Sequence, residues 1–247
     1  MPASGSSKAF LLLVLFSCSD TSAPVVTKEN PDVSRPTPKT QFDATAVAPI
    51  RPKAVDANKV ANSHALVDIG TLDTDIILDM RYAGNNNFVG RAVYRKARCL
   101  LRTPVAQALA RVQSRLAKQS VRLLIWDCYR PFSVQEEFWR LMPDTRYVAK
   151  PMRRKGEPWR GSKHNRGAAI DVSLAGEQGE ALLMPTDHDD FSKKASRDAV
   201  GISKEAARNA KTLESAMQAE GFEGLASEWW HYDYQGWQDY DLSDQEL

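Results

Sequence analysis

The sequence predicts an α+β fold in which a small sheet is flanked by helices. Two strand-like runs and three amphipathic helical segments occur along the chain, and they do not alternate regularly as they would in a doubly wound sheet. Of the 247 residues, 43% are hydrophobic and 26% are charged. This composition is typical of a globular protein and excludes wholesale disorder or a collagen-like structure.

Three segments have the apolar spacing and the start signals of helices. The first opens at Thr103, which we expect to act as the cap, with Pro104 in the first turn. The second opens on a capping box formed by Ser133 and Glu136. Ser203 is expected to cap the third. The sequence therefore predicts three helices from residue 103 onward.

Two segments have the character of strands. Residues 121–126 form a continuous apolar run, which predicts a buried strand. Residues 168–174 alternate, with Ile170 and Val172 on one face and Asp171 on the other. A carboxylate is therefore expected on the polar face of the second strand.

The N-terminus has the features of an export signal, which we place at residues 1–17. Lys8 precedes the apolar run 9–16, which is too short to cross a bilayer as a helix. The run ends in a sequence that resembles the lipobox of bacterial lipoproteins, where Cys18 would be lipidated and become the first mature residue. An ordinary signal cleaved near Ala23 is the alternative. Both interpretations predict a periplasmic protein, and lipidation of Cys18 would also hold the protein on a membrane.

Residues 18–61 differ in composition from the rest of the chain. Prolines are frequent, Phe42 is the sole aromatic residue, and no helical or strand periodicity is sustained. Such a segment cannot bury enough apolar surface to offset its ordering entropy, so we expect a disordered tether. The predicted folded domain is then 62–247, which is long enough for one core.

The charge balance is nearly neutral. Lys and Arg number 33 against 31 Asp and Glu, a formal net charge of +2. This gives no reason to expect a nucleic-acid partner, and no feature of the sequence indicates a protein partner. Three cysteines are too few for a disulfide scaffold.

Candidate metal ligands occur in two short stretches. In the first, His164 precedes a glycine turn and Asp171 follows on the predicted strand; in the second, Glu228 lies three residues before His231. Two imidazoles and one carboxylate suit zinc, and they leave a fourth position for water beside an unligated glutamate. The alternative is that each histidine is a structural residue and that the aromatic side chains around His231 belong to the core.

Four motifs together resemble the D-alanyl-D-alanine dipeptidases of the VanX type, which are zinc peptidases of family M15. They are DMRYAGNNNFVGRAVY (79–94), WDCYRPFSVQ (126–135), SKHNRGAAID (162–171) and EWWHY (228–232). The resemblance spans about residues 67–234, with the motifs in the family's order. It implies the α+β fold of the DD-peptidases and hedgehog-like proteins, with a small antiparallel sheet flanked by helices.

The resemblance also implies the roles of five residues. His164, Asp171 and His231 would bind one Zn²⁺ ion. Glu228 would be the general base that takes a proton from the attacking water. Arg130 would stabilise the oxyanion of the tetrahedral intermediate.

The same resemblance assigns the substrate contacts. Ser162 would lie near the C-terminal carboxylate of a dipeptide, while Tyr82 and Asp190 would bind its free ammonium group. Asp187 and Asp189 are close alternatives to Asp190, because a slip of one position is possible. The implied reaction is hydrolysis of D-Ala-D-Ala to two D-Ala in periplasmic cell-wall peptide turnover.

Two other functions remain open at this point. One is a carboxypeptidase or endopeptidase of the same superfamily that acts on peptidoglycan stem peptides. The other is a wall-binding module without catalytic activity, although binding alone needs no general base such as Glu228.

The remaining polar residues near the motifs are interpreted without a catalytic role. His64 and His188 are expected at the surface, and Lys163 and Arg166 at the rim of the site or in solvent. The basic run 150–155 is expected to be a solvated loop.

Cys99 and Cys128 are interpreted as a disulfide pair. Many members of the resembled family have Gly where this chain has Cys128. In an oxidising periplasm the pair would close a loop of about 30 residues and stabilise the fold by about 3–4 kcal/mol in the chain-entropy model.

Overall fold

The computed structural model describes residues 64–72 and 75–247. The predicted signal, the lipidation site Cys18 and the predicted tether lie outside these residues, so they stay predictions. Within the described ranges, no helix has the length and apolar character needed to cross a membrane.

The sheet has the predicted small size and is mainly antiparallel. The strands of the described residues are β1 (Leu66–Asp68), β2 (Ile77–Leu78), β3 (Leu100–Arg102), β4 (Val121–Asp127), β5 (Ala169–Gly176), β6 (Phe222–Gly224) and β7 (His231–Tyr234). Five of them form one sheet in the order β2-β4-β5-β7-β6, while β1 and β3 pair separately. The β2–β4 pair is parallel, and the other neighbours are antiparallel.

The three predicted helices are present, and the first and third contact the sheet. They are α1 (Thr103–Leu116), α2 (Phe132–Leu141) and α3 (Lys204–Gln218). Helix α1 contacts β4 and α3, and α3 also contacts β5 and β6. The apolar stripe of α1 predicted at Val105, Leu109, Val112 and Leu116 is fully buried. The described residues therefore have the predicted α+β architecture.

The predicted caps of the first two helices are wrong. Thr103 is already helical, and its hydroxyl donates to Ala65 O at 3.4 Å instead of capping α1. Helix α2 begins one residue before Ser133, so the capping box does not form. Instead, the Ser133 N–H donates to Asp244 Oδ1 at 2.7 Å, so the first turn of α2 is capped from the C-terminal segment. Ser203 caps α3 as predicted.

The second predicted strand, β5, lies in the middle of the sheet. Its alternation is as predicted, but all eight residues are buried, including Asp171 on the polar face. A carboxylate covered in this way needs compensating partners. These partners belong to the site described next.

Candidate metal centre and active-site cleft

A short turn brings His164 to the start of β5. Residues Lys163–Arg166 form a 3-10 turn, and the Ser162 hydroxyl at its N-terminus accepts from His164 N at 3.2 Å. Gly167 ends the turn with φ 68°, a left-handed conformation that favours glycine. A Cβ there would lie 2.4 Å from Leu66 Cδ2. Glycine therefore allows the chain to reverse into β5 directly after the histidine.

The other two predicted ligands are partners across the sheet. Asp171 on β5 lies directly opposite His231 on β7 in the antiparallel register. Directly opposite residues on one face of such a pair have side chains within contact distance. Backbone pairing of the two strands therefore brings the carboxylate and the imidazole together.

Three potential ligand atoms converge at this point. His164 Nε2 lies 3.2 Å from His231 Nδ1 and 3.4 Å from Asp171 Oδ1. His231 Nδ1 lies 3.0 Å from the same Asp171 oxygen. Ligands about 2.0–2.1 Å from a tetrahedral Zn²⁺ ion are separated by about 3.3 Å. The three predicted ligands thus form a candidate metal site whose spacing fits zinc.

The outer nitrogen of each imidazole also has a partner. His164 Nδ1 lies 2.7 Å from Cys128 O, and His231 Nε2 lies 3.1 Å from Asp233 Oδ1. A ring that donates its outer N–H leaves its inner nitrogen free to bind a metal, as in most histidine metal sites. Lys163 Nζ donates to the second oxygen of Asp233 at 2.6 Å. Lys163 thus lies at the rim of the site, as predicted.

The electrostatics of the centre favour positive charge. Burial raises the pKa of Asp171, but the attraction of His164 and hydrogen bonds with the surrounding histidines outweigh it, and the pKa falls well below its usual range. Burial also opposes protonation of His231, yet its hydrogen bonds with Asp171 and Asp233 raise the pKa to about 10. The negative charges that raise the pKa of His231 also favour the binding of a divalent cation at this position.

The candidate ligands open onto a cleft of about 410 Å³. Glu228 lines the cleft, in the turn that leads into β7. Burial raises the pKa of Glu228, although the nearby His231 lowers it in part. A carboxyl group whose pKa is shifted upward is suited to accept and return a proton.

Arg130 lines the same cleft, and its guanidinium group is held by hydrogen bonds to Asp127. Asp127 Oδ2 accepts from Arg130 Nη2 at 2.6 Å and from Nε at 3.1 Å, while Gln135 Oε1 accepts from Nη1 at 2.8 Å. Asp127 Oδ1 accepts from Tyr94 Oη and from Cys128 N. The carboxylate is fully buried. Sequence reasoning missed Asp127, although it lies three residues before Arg130 in the same motif.

Cys99 and Cys128 are joined by a disulfide, as predicted, with their Cα atoms 5.2 Å apart. The bridge ties the residue before β3 to the residue after β4. Cys128 also supplies the carbonyl that His164 contacts. The disulfide therefore lies next to both the metal centre and the Arg130 loop.

The part of the cleft wall around Tyr82 corrects one predicted position. Tyr82 Oη donates to Asp189 Oδ1 at 2.9 Å, and Phe88 N donates to Asp189 Oδ2 at 3.2 Å. Asp190, predicted for this position, accepts from Ser192 N instead and does not line the cleft. Asp189 has φ 58°, and this turn directs its carboxylate toward Tyr82. The acidic side chain of this wall is therefore Asp189.

The prediction for His188 is also wrong. It was expected at the surface, but its side chain is 1% exposed and its Nε2 lies 3.3 Å from Asp171 Oδ2. The buried carboxylate next to it explains why an imidazole is retained inside. His64 is exposed, as predicted, and Ser162 lines the cleft.

Comparison with known proteins agrees with the site. A family model described as "D-ala-D-ala dipeptidase", of the M15 peptidases, matches residues 62–245. A D-alanyl-D-alanine dipeptidase of Escherichia coli K12 is 33% identical over 174 residues, covering 70% of this chain and 86% of the relative. Proteins of the same name from Enterococcus faecium and Streptomyces coelicolor are each 33% identical, covering 62% and 66% of this chain and 83% and 88% of the relatives.

The family match covers most of the chain and includes every element that forms the cleft. M15 enzymes are metallopeptidases, in agreement with the candidate site formed by His164, Asp171 and His231. This chain belongs to the M15 peptidase family and is a metallopeptidase.

Proposed function

We propose that the enzyme hydrolyses D-Ala-D-Ala to two D-Ala, with zinc held by His164, Asp171 and His231. The observation that carries the proposal is that these three ligands, Glu228 and Arg130 all line one cleft. The name that the curated relatives share supports the choice of substrate.

The donor set suits a catalytic zinc ion. Two imidazole nitrogens and one carboxylate oxygen are ordinary zinc ligands, and three protein ligands leave a further position for substrate or water. When bound, zinc lowers the pKa of water toward 7 and polarises a carbonyl group.

Glu228 and Arg130 supply the remaining chemistry. Glu228 accepts a proton from the attacking water and returns it to the leaving amine, which is consistent with its raised pKa. Arg130 keeps its positive charge and offers fixed N–H donors to the oxygen on which negative charge develops. Asp127 and Gln135 hold the guanidinium in place, so few of its donors have to reorganise during the reaction.

The other end of the cleft favours a short substrate. In a dipeptide the free ammonium group is one carbon away from the scissile carbonyl. Tyr82 holds Asp189 by a hydrogen bond. His188 lies between Asp189 and Asp171, because its Nε2 is 3.6 Å from Asp189 Oδ1 and 3.3 Å from Asp171 Oδ2. An ammonium group at Asp189 would thus lie close to the metal centre, and Ser162 remains the candidate contact for the C-terminal carboxylate.

A panel of substrates tests the proposal. We expect cleavage of D-Ala-D-Ala, loss of activity with a chelator, and refusal of N-acetyl-D-Ala-D-Ala, because acetylation removes the charge that Asp189 would bind. L,D-dipeptides and a longer stem peptide complete the panel. Cleavage of the blocked or longer peptides in preference to the free dipeptide would indicate a carboxypeptidase or endopeptidase instead. Absence of any cleavage by the metal-loaded protein would favour a binding module.

We also propose that the enzyme acts in the periplasm, in cell-wall peptide turnover, and is held on a membrane by a lipid on Cys18. The support comes from the sequence: Lys8, the apolar run 9–16 and the lipobox-like residues before Cys18. Expression with a radiolabelled fatty acid tests this, with Cys18→Ser as the control. Equal labelling of both chains, or no labelling of either, would contradict the lipid anchor.

A further inference from the structure

His188 is a buried imidazole that the proposed mechanism does not use. Its ring packs against Trp126 and Trp230, with centroids 5.1 and 5.6 Å away. Its Nε2 lies 3.3 Å from Asp171 Oδ2 and 3.6 Å from Asp189 Oδ1. It therefore lies between Asp171, a candidate metal ligand, and Asp189, the acidic residue beside Tyr82.

The neighbours of His188 define which nitrogen carries a proton. Both atoms near Nε2 are carboxylate oxygens, which accept hydrogen bonds and donate none when ionised. A bare Nε2 would direct its lone pair at two negative charges, whereas an N–H there is attracted by both. His188 Nδ1 is buried and has no partner in residues 64–72 and 75–247. The polar contacts of the ring are thus directed at the two carboxylates.

The hydrogen bond fixes the orientation of Asp171. One oxygen of this carboxylate, Oδ1, faces His164 and His231, while the other, Oδ2, faces His188. A donor on Oδ2 prevents rotation of the carboxylate and keeps Oδ1 available to the metal. Removal of a residue that orients a metal ligand in this way typically weakens metal binding by about 10- to 100-fold.

We propose that His188 is a positioning residue that orients Asp171 toward the metal. The inference rests on the proposed function, because it needs the three-ligand metal site.

Two variants of the full chain separate hydrogen bonding from packing. His188→Phe keeps an aromatic ring between the tryptophans and removes the N–H; His188→Gln offers an amide N–H near the position of Nε2. Zinc dissociation constants are measured by competition with a chromogenic chelator, and the site geometry is followed by Co²⁺ absorption. We expect about 10- to 100-fold weaker zinc binding in His188→Phe and recovery to within a few-fold in His188→Gln.

Several results would overturn the inference. One is zinc binding by His188→Phe that equals the wild type, which would indicate that an aromatic ring at this position is sufficient. Another is a loss in His188→Gln as large as in His188→Phe, which would show that an N–H donor at this position does not restore zinc binding. If wild-type protein binds no zinc, the proposed metal site fails first, and that result is distinct from a failure of His188 alone.

A measurement on the wild-type protein does not depend on the variants folding. The chain has four histidines, so their imidazole ¹⁵N–¹H correlations can be assigned in the zinc-loaded protein. We expect His188 to carry its proton on Nε2. A bare Nε2 on His188 would exclude the hydrogen bond to Asp171 and refute the proposal.

Discussion

The two sides of the cleft are built in different ways. On the metal side, Asp171 and His231 are partners in neighbouring strands, and the hydrogen bonds of the sheet set their separation. On the other side, which we call the loop side, Tyr82, Arg130 and Asp189 line the cleft and lie outside the strands. Side-chain hydrogen bonds hold these three residues, above all those made by Asp127 and between Tyr82 and Asp189.

This difference predicts different sensitivities. Strand register depends on many backbone bonds, so a change of one side chain on the metal side removes a chemical group and leaves the frame in place. A loop held by one buried carboxylate loses its geometry when that carboxylate is replaced. We therefore expect a substitution on the metal side to remove a chemical group that the reaction needs, and a substitution on the loop side to displace the residues that line the cleft.

The largest expected effect is on the metal side. Glu228→Ala removes the proposed base but none of the candidate ligands, so we expect zinc content to be retained while kcat falls by about 10²- to 10⁴-fold. Steady-state kinetics and metal analysis of the same preparation check this. Near-normal turnover would refute the role of Glu228, and loss of zinc would show that Glu228 also supports the metal site.

The next largest effect is expected on the loop side, from Asp127→Asn. The amide cannot neutralise Arg130, which is 8% exposed and bonded to Asp127 through two nitrogens. Breaking a buried pair typically costs about 3–5 kcal/mol, and loss of one transition-state donor costs about 10²- to 10³-fold in kcat. Denaturant unfolding and kinetics measure both quantities.

Asp144→Asn is the matched control for Asp127→Asn. Asp144 also pairs with an arginine, Arg146, with Nη2 and Oδ2 2.5 Å apart, but this pair is exposed. Hydrogen bonds with Arg146 lower the pKa of Asp144 to about 2, yet exposed pairs contribute little to stability. If Asp127→Asn behaves like Asp144→Asn, then burial of the Arg130 pair does not fix the loop.

A smaller effect is expected where the structure and the sequence prediction differ. Asp189→Asn removes the charge that would bind the substrate ammonium group, whereas Asp190→Asn changes a side chain that accepts from Ser192 N and does not line the cleft. Loss of a partly buried charge partner costs about 2 kcal/mol or more, which corresponds to about 30-fold in kcat/KM. We expect this loss for Asp189→Asn and near-wild-type values for Asp190→Asn. The reverse result would restore the prediction made from the sequence.

The metal side could be predicted from the sequence because its signals are local. His164 and Asp171 are seven positions apart around a glycine turn, and the alternation of β5 predicts the face of Asp171. His231 is 60 positions beyond Asp171, on a strand that the sequence did not predict. It was identified from its own short stretch with Glu228 and from the resemblance, and its place opposite Asp171 comes from the sheet.

The loop side could not be predicted in the same way because its contacts are distant in sequence. Tyr82 and Asp189 are 107 residues apart, and local spacing cannot tell Asp189 from Asp190. The same reason explains the failed cap at Ser133, since its partner Asp244 is 111 residues away. His188 gave one possible signal, a fourth histidine between acidic residues, but nothing local indicates its burial.

The disulfide should have the smallest effect on turnover, although it lies between the two sides. Replacing Cys99 and Cys128 together by Ser removes a bridge that spans 29 positions, and the chain-entropy model predicts a loss of about 3–4 kcal/mol in the free energy of unfolding. His164 contacts a backbone carbonyl of residue 128, which serine retains, so we expect zinc affinity and kcat to change only a few-fold. Denaturant unfolding of the two chains and free-thiol titration of unfolded wild type, with and without reductant, check this. Equal thiol titres would refute the bridge, and a large loss of zinc affinity would show that the disulfide positions the metal side as well.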